Sequence, residues 1–226
     1  MPLVPRIPRS YNQGATDRMG SLIGVQADIS KKSEAARIAQ HIASLEPKGI
    51  TALFNNAGIM AGQFKRPATS GNSQPTAQDF VKTLFDDVPE ESFTDSFKVN
   101  AVGPYWLTVA FLPLLEKWKN QSANASANGV GTAALAHELL PLGIRVNGIA
   151  PGLFPTEMAS PGTSNDLGIS SVPPDREYGF ESPANRSGGT RFDMGTLALF
   201  LVSNWFVNGE TVLIDGGTLL RHPSSY

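Results

Sequence analysis

With 226 residues, 41% of them hydrophobic and 17% charged, the chain is long enough for one domain with a sizeable core. A formal net charge of −2 leaves no electrostatic footprint for nucleic acid or an anionic membrane, and the absence of cysteine excludes disulfides, thiolate catalysis and thiolate metal sites. His41, His137 and His222 are too widely spaced to suggest a metal site, and no apolar run is long enough to span a bilayer, so a reducing, cytoplasmic setting is expected.

Residues 1–20 carry Pro2, Pro5 and Pro8, with three arginines against the single acid Asp17. Proline at every third position blocks both a helix and a central strand. This segment reads as a disordered leader to a single domain over 21–226. That domain opens with a predicted strand, Leu22 to Ala27, which delivers Asp28-Ile29-Ser30. Ser30 is placed to cap a helix over 31–46, whose Ala35, Ile38, Ile42 and Leu45 share one face. Pro47-Lys48-Gly49 stops it.

Ile50 to Phe54 then runs without alternation into Asn55-Asn56-Ala57-Gly58, the pattern of a buried parallel strand ending at a polar turn. In an open α/β sheet the carboxyl end of such a strand is where ligands sit. The amides of Asn55 and Asn56 either brace the turn or touch a ligand, while Ala57 and Gly58 let a flat group approach the backbone. Strand, helix and strand with short connections predict a parallel pair with a right-handed crossover.

Residues 61–78 are polar and rich in Gly, Pro and Ser, as in a surface loop. Pro89-Glu90-Glu91-Ser92 opens a second helix, through Phe93, Phe97, Asn100 and Val102 toward Leu107, Phe111 and Leu115. Asn100, set among apolar neighbours, is expected to be buried and hydrogen-bonded. Residues 120–129 lack periodicity and read as a linker. A helix resumes over 132–140 and leads into a strand over 144–150, which stops at Pro151-Gly152-Leu153-Phe154-Pro155-Thr156. Prolines and glycines dominate 157–190, as in a loop or lid. A helix over 192–204 precedes the strand Thr211 to Ile214 and its terminal Asp215-Gly216-Gly217.

Asp28 after an early strand, Asn55-Asn56-Ala57-Gly58, Val99-Asn100 in a helix, Ile144-Arg145-Val146-Asn147 running to Pro151-Gly152, then Thr156 and Asp215-Gly216-Gly217 form an ordered set. It resembles the short-chain dehydrogenase/reductase family, most closely its 3-oxoacyl-carrier-protein-reductase-like branch. The resemblance implies an α/β fold, a Rossmann-like doubly wound parallel sheet. It also implies an oxidoreductase moving hydride between a nicotinamide cofactor, NADP favoured over NAD, and a small carbonyl or alcohol, with secondary metabolism as a setting. Asp28 would bond the adenine amino group, and Asn56, Ala57 and Gly58 would lie along the adenosine ribose. The backbone at Phe154 and the hydroxyl of Thr156 would hold the nicotinamide carboxamide. Asn100 would be the catalytic-relay asparagine that supports an ordered water, and no metal is implied. The competing structural readings are that Asp28 and Thr156 cap helices and that Asn100 satisfies a helix kink.

The chain departs from that family at three places. No glycine has partners at both i+4 and i+6, so the family's Gly-x-x-x-Gly-x-Gly phosphate cradle is missing. The family's acid is a tyrosine with a lysine four residues on, whose charge lowers the tyrosine pKa. Here Tyr11 is followed at that spacing by Ala15, Tyr105 by Val109 and Tyr178 by Ser182, and Tyr226 is terminal. The serine-bearing strand is absent too, and Ser122 and Ser126, in the linker, are not assigned its role. The sheet is therefore expected to be incomplete, with several strands missing, cofactor binding and activity doubtful, and the fold poor in isolation. Two further readings stay open: a non-catalytic binding protein that self-associates or pairs with an intact relative, and an incomplete gene product.

Overall fold

The computed structural model describes residues 22–60, 67, 74–121, 126–127, 132–165, 170–172 and 180–222. The predicted leader lies outside the described residues, as do most of the 61–78 loop and parts of the 157–190 segment.

Helix α1, Lys32–Leu45, buries Ala35 and Ala39, small residues that let it lie close against α4, Gly103–Gln121. Ala39, Phe111 and Leu114 form one core cluster, with Ile38, Ile42, Ile50 and Leu53 packed around it. Leu115, Ala136, Leu139, Ile144 and Val146 form a second, which joins α4 to α5, Thr132–Glu138, and to the strand beyond. Strand β1, Ala52–Leu53, therefore runs under both long helices, as its unbroken apolar pattern predicts.

The strands are short and parallel. β1 pairs with β2, Ser126–Ala127, and β2 with β3, Arg145–Val146, in the register Ala52↔Ser126↔Arg145. After Asn147 the extended run resumes as β4, Gly148–Pro151, which pairs with β5, Thr211–Ile214.

Three sequence expectations are corrected. Residues 22–27 form no strand and join no ladder among the described residues, and β1 takes β2 as its partner instead. The supposed linker 120–129 contains β2, in the place where the serine-bearing strand was thought lost. Ser and Ala carry no strand signal, and the pairing is imposed by two flanking strands whose backbone groups need partners. Lastly, Ser30 does not cap α1: the N-cap is Lys31, with no side-chain cap bond, and the turn is organised by Asp28.

A helix the sequence did not announce, α2 at Ala77–Val81, begins at a capping box in which Thr76 and Asp79 satisfy each other's backbone N–H. It continues as a π turn over Lys82–Asp86. The predicted second helix starts as expected, as α3, Glu90–Phe97, and reaches α4 through another π turn, Lys98–Val102. Helix α6, Arg191–Ser203, also starts at a capping box, Thr190 with Asp193.

The connection from α6 to β5 is tied to the strand by buried polar groups. The guanidinium of Arg145, 7% exposed, donates from Nη1 to the carbonyls of Leu201 and Val207 and from Nη2 to that of Val202. No carboxylate pairs with it among the described residues, and burial holds its pKa below the ordinary arginine value. Asn147, 1% exposed, donates to Val207 O and accepts from Glu210 N–H, and Asn208 accepts from Val146 N–H.

Large apolar side chains stay open to solvent, among them Phe85 at 80%, Phe206 at 83% and Leu220 at 92%. At roughly 25 cal/mol per Å², a few hundred Å² left unburied consumes much of a stability of about 5–15 kcal/mol. The purified chain is expected to melt broadly and below about 45 °C, and a sharp calorimetric transition above about 65 °C would contradict this. Arg145→Met is expected to cost about 3 kcal/mol, because it strands the carbonyls of Leu201 and Val202 and leaves that of Val207 with Asn147 alone; urea denaturation of a folded preparation reads the loss. The Asp193 carboxyl sits below the usual carboxylate range because Thr190 donates to it. The α6 cap is thus complete above the unfolded carboxylate pKa and lost as pH falls through the lowered folded value, a loss that an acid titration should show and Asp193→Asn should abolish.

Candidate functional site

Because the strands are parallel, the carboxyl ends of β1, β4 and β5 point the same way; Asn56, Ala57 and Gly58 follow β1, Phe154 and Thr156 follow β4, and Asp28 lies in a turn ahead of α1. After β1 the chain passes through Asn55, half-buried, whose Nδ2 donates to Oγ1 of the buried Thr108 on α4 at 3.0 Å. Asn55 thus braces the strand end against the helix. Asn56, Ala57 and Gly58 follow and are exposed, as a surface that receives a ligand requires.

Asn100 lies in the π turn ahead of α4. Its Oδ1 accepts from Ile59 N–H at 2.8 Å and its Nδ2 donates to Ile59 O at 2.7 Å, so one carboxamide closes both backbone groups of Ile59 as a paired strand would. A Cβ on Gly58 would stand 3.4 Å from that oxygen. The π turn has a local cause: Pro104 has no N–H to return to the Asn100 carbonyl, and Gly103 N–H reaches back five residues to Lys98 O. The expectation of burial is corrected here. Asn100 is exposed, and Phe93 and Phe97 on the preceding helix are 56% and 65% exposed, so the apolar neighbours in sequence do not enclose it.

Asp28 is exposed and accepts from the N–H and Oγ of Ser30 and from Lys31 Nζ at 3.1 Å. The Ser30 hydroxyl first, then Lys31, lower its pKa below the usual aspartate value. Its turn is docked on α4 where Gly103 leaves room, since a Cβ there would lie 2.8 Å from Ile29 O. Beside it Lys32 Nζ stands 4.6 Å from the centre of the Trp106 ring. Asp28 thus builds the turn ahead of α1 and does not cap the helix, and its carboxylate is still open to solvent.

Beyond β4, Gly152 N–H continues the ladder to Ile214 O at 2.9 Å. Phe154 is half-buried. Thr156 is exposed and its hydroxyl accepts from Ala159 N–H at 3.2 Å, bracing a turn rather than capping a helix. After β5, Asp215 accepts from Gly217 and Leu219 N–H at the start of α7, Thr218–Arg221, and these bonds lower its pKa. The first part of the 157–190 segment is held by its own bonds, with Glu157 accepting from Gly162 N–H at 2.6 Å and from the Ser164 hydroxyl.

Sequence reasoning missed Ile59 and Thr108, the partners of the two key asparagines. Pro104 was the available signal for the first, since a proline inside a helix marks where the register changes. Among the described residues no cluster of three His, Asp or Glu could hold a metal, and no helix is long and apolar enough to cross a membrane. An open cleft of about 410 Å³ lined by Val25, Arg37, Gln40, His41 and Ser44 lies against α1 and contains none of the residues just described.

Residues 10–126 match the family model described as short chain dehydrogenase, and residues 125–218 match the one described as enoyl-(acyl carrier protein) reductase. The short-chain dehydrogenase/reductase PhomF of Diaporthe leptostromiformis is 31% identical over 92% of this chain and 78% of its own. The chain belongs to the short-chain dehydrogenase/reductase family. Another relative, the short-chain dehydrogenase/reductase SAT3 of Stachybotrys chartarum, is 27% identical over 94% of this chain and 90% of its own. Among solved structures, a short-chain type dehydrogenase/reductase from Mycobacterium marinum superposes with a TM-score of 0.62 at 19% identity, over 86% of this chain and 74% of that one. Pseudomonas aeruginosa RhlG, in an active-site complex with NADP, gives 0.60 at 23% identity over 86% and 75%. The fold is the Rossmann-like α/β fold of short-chain dehydrogenases, here with few strands among the described residues.

The Asn100 clasp makes a sharp prediction. Asn100→Ala frees Ile59, and Asn100→Asp does equal or greater harm because a carboxylate oxygen then faces Ile59 O. Hydrogen exchange of the peptide spanning Ile59 should accelerate in both variants, and slow exchange in the Asp variant would refute the two-way pairing.

Proposed function

We propose that this short-chain dehydrogenase is an oxidoreductase scaffold for NAD(P)-dependent interconversion of a small carbonyl and its alcohol, in secondary metabolism. As written, it binds cofactor weakly and has little or no turnover. The observation that carries the reading is the common direction of the strand ends, with Asn56-Ala57-Gly58 after β1, Phe154 and Thr156 after β4, and Asn100 clasped to Ile59. The fungal relatives support the setting, and RhlG with NADP supports the cofactor class, while the NADH-dependent reductase A1-R' complexed with NAD keeps the second nicotinamide cofactor in play.

A dinucleotide fits these residues at its two ends and not at its middle. Asp28 with Asn56, Ala57 and Gly58 would receive the adenosine, and the Phe154 backbone with Thr156 the carboxamide. Nothing in the sequence supplies a glycine-rich turn for the pyrophosphate. Asn100 has both carboxamide atoms committed to Ile59, so its contribution is to hold the strand end in place. No tyrosine stands four residues before a lysine, and the missing acid alone is worth about 10² to 10⁴ in rate.

The test is a fluorescence titration with NADPH and NADH beside a turnover assay with a panel of ketones. Weak, saturable binding without carbonyl-dependent oxidation is expected. Oxidation of NADPH at rates ordinary for the family would overturn the inactive part of the reading, and absence of binding at millimolar cofactor would overturn the rest in favour of an interaction protein without a nucleotide.

A further inference from the structure

Leu153 and Phe154 follow β4, and the chain returns to them thirty-five residues later. Gly189 N–H donates to Leu153 O at 2.8 Å. Gly188, at φ +82°, lies so close that a Cβ on it would stand 2.5 Å from the same oxygen. A tight turn sets this approach: Asn185 O accepts from Gly188 N–H, Asn185 Nδ2 donates back to Gly188 O, and its Oδ1 accepts from Ser187 N–H.

Gly189 has a separate role. Its Cα carries the ring of Phe154, and a Cβ there would come within 2.5 Å of Cζ and 3.1 Å of Cδ1 while also meeting Cε1. No φ constraint is involved, because Gly189 is not among the glycines with positive φ. What position 189 requires is the absence of a side chain. The ring fills that absence, and the backbone that bears the ring is the one assigned to the nicotinamide carboxamide.

We propose that Gly189 is a positioning residue for the cofactor: its bare Cα seats the Phe154 ring and so fixes the backbone at 153–154 that faces the carboxamide. This rests on the cofactor reading given above. Gly189→Ala expels the ring or pushes the two segments apart, and either movement shifts the carboxamide contact. Removing the ring in the same chain relieves the clash while leaving the Phe154 backbone groups available.

The experiment compares the wild-type chain, Gly189→Ala, Phe154→Ala and the double variant, each titrated with NADPH, with exchange of the residue-189 amide followed in parallel by NMR. Gly189→Ala should weaken NADPH about tenfold and speed that exchange, and the double variant should return to within about threefold of Phe154→Ala in affinity and to slow exchange. If Gly189→Ala binds NADPH as the wild type does, the seat is refuted and the cofactor reading stands. A double variant as weak as Gly189→Ala also refutes it, since the harm then lies in the backbone and not in the ring. Failure of the wild type to bind NADPH removes the cofactor reading and this role with it.

Discussion

A guanidinium buried with no carboxylate partner among the described residues holds the second half of this molecule in place. Arg145 takes two carbonyls from the last turn of α6 and one from the bend before β5, so the helix end, which has unsatisfied acceptors, is neutralised from inside the protein. The favourable geometry is that of a cation at a helix C-terminus. Desolvation opposes it, and three charge-assisted bonds offset that cost. Once α6 and residues 204–210 are anchored, Asn147 and Asn208 complete the backbone pairing and β5 falls into register beside β4. The carboxyl ends of β4 and β5, where Phe154 and Asp215 sit, are set by that register.

At the other end of the site the same logic is carried by two carboxamides. Asn55 is fastened to Thr108 and Asn100 to Ile59, so the polar turn after β1 is held at two points, one on α4 and one on the π turn before it. The π turn lets an asparagine on a helix face a strand end squarely, and its cause is a single proline. The strand end is thus braced by side-chain amides.

Much of this was legible in the residues. β5 was read to the residue, α1 and α6 to within one residue at each end, because apolar runs and the Gly and Pro breaks between them agree there. The family order of motifs named the turns that follow β1 and β4, where Asn56 and Phe154 lie. β2 was not legible, since Ser126 and Ala127 pair only because β1 and β3 leave a gap of one strand between them. The strand at 22–27 failed for the converse reason: its pattern is right but a strand needs a neighbour, and none of the described residues supplies one. Asn100 was read as buried from its neighbours in sequence, whereas exposure is decided by what packs across from them. Gly189 carries no signal in one sequence, because its requirement is set by a ring thirty-five residues away.

The two-residue length of β2 has a mechanical meaning. On one side of it stand α1, β1 and most of α4, and on the other α5, β3, β4, α6 and β5, with only the Ser126–Ala127 registers continuing the ladder between them. What fastens the halves is Leu115, wholly buried, inserted from α4 among Ala136, Leu139, Ile144 and Val146. A sheet of five or six paired residues per strand transmits a local opening along its whole width, whereas this one divides at its narrowest ladder. Local opening in such an arrangement is divided between the two packed clusters rather than carried along a continuous ladder.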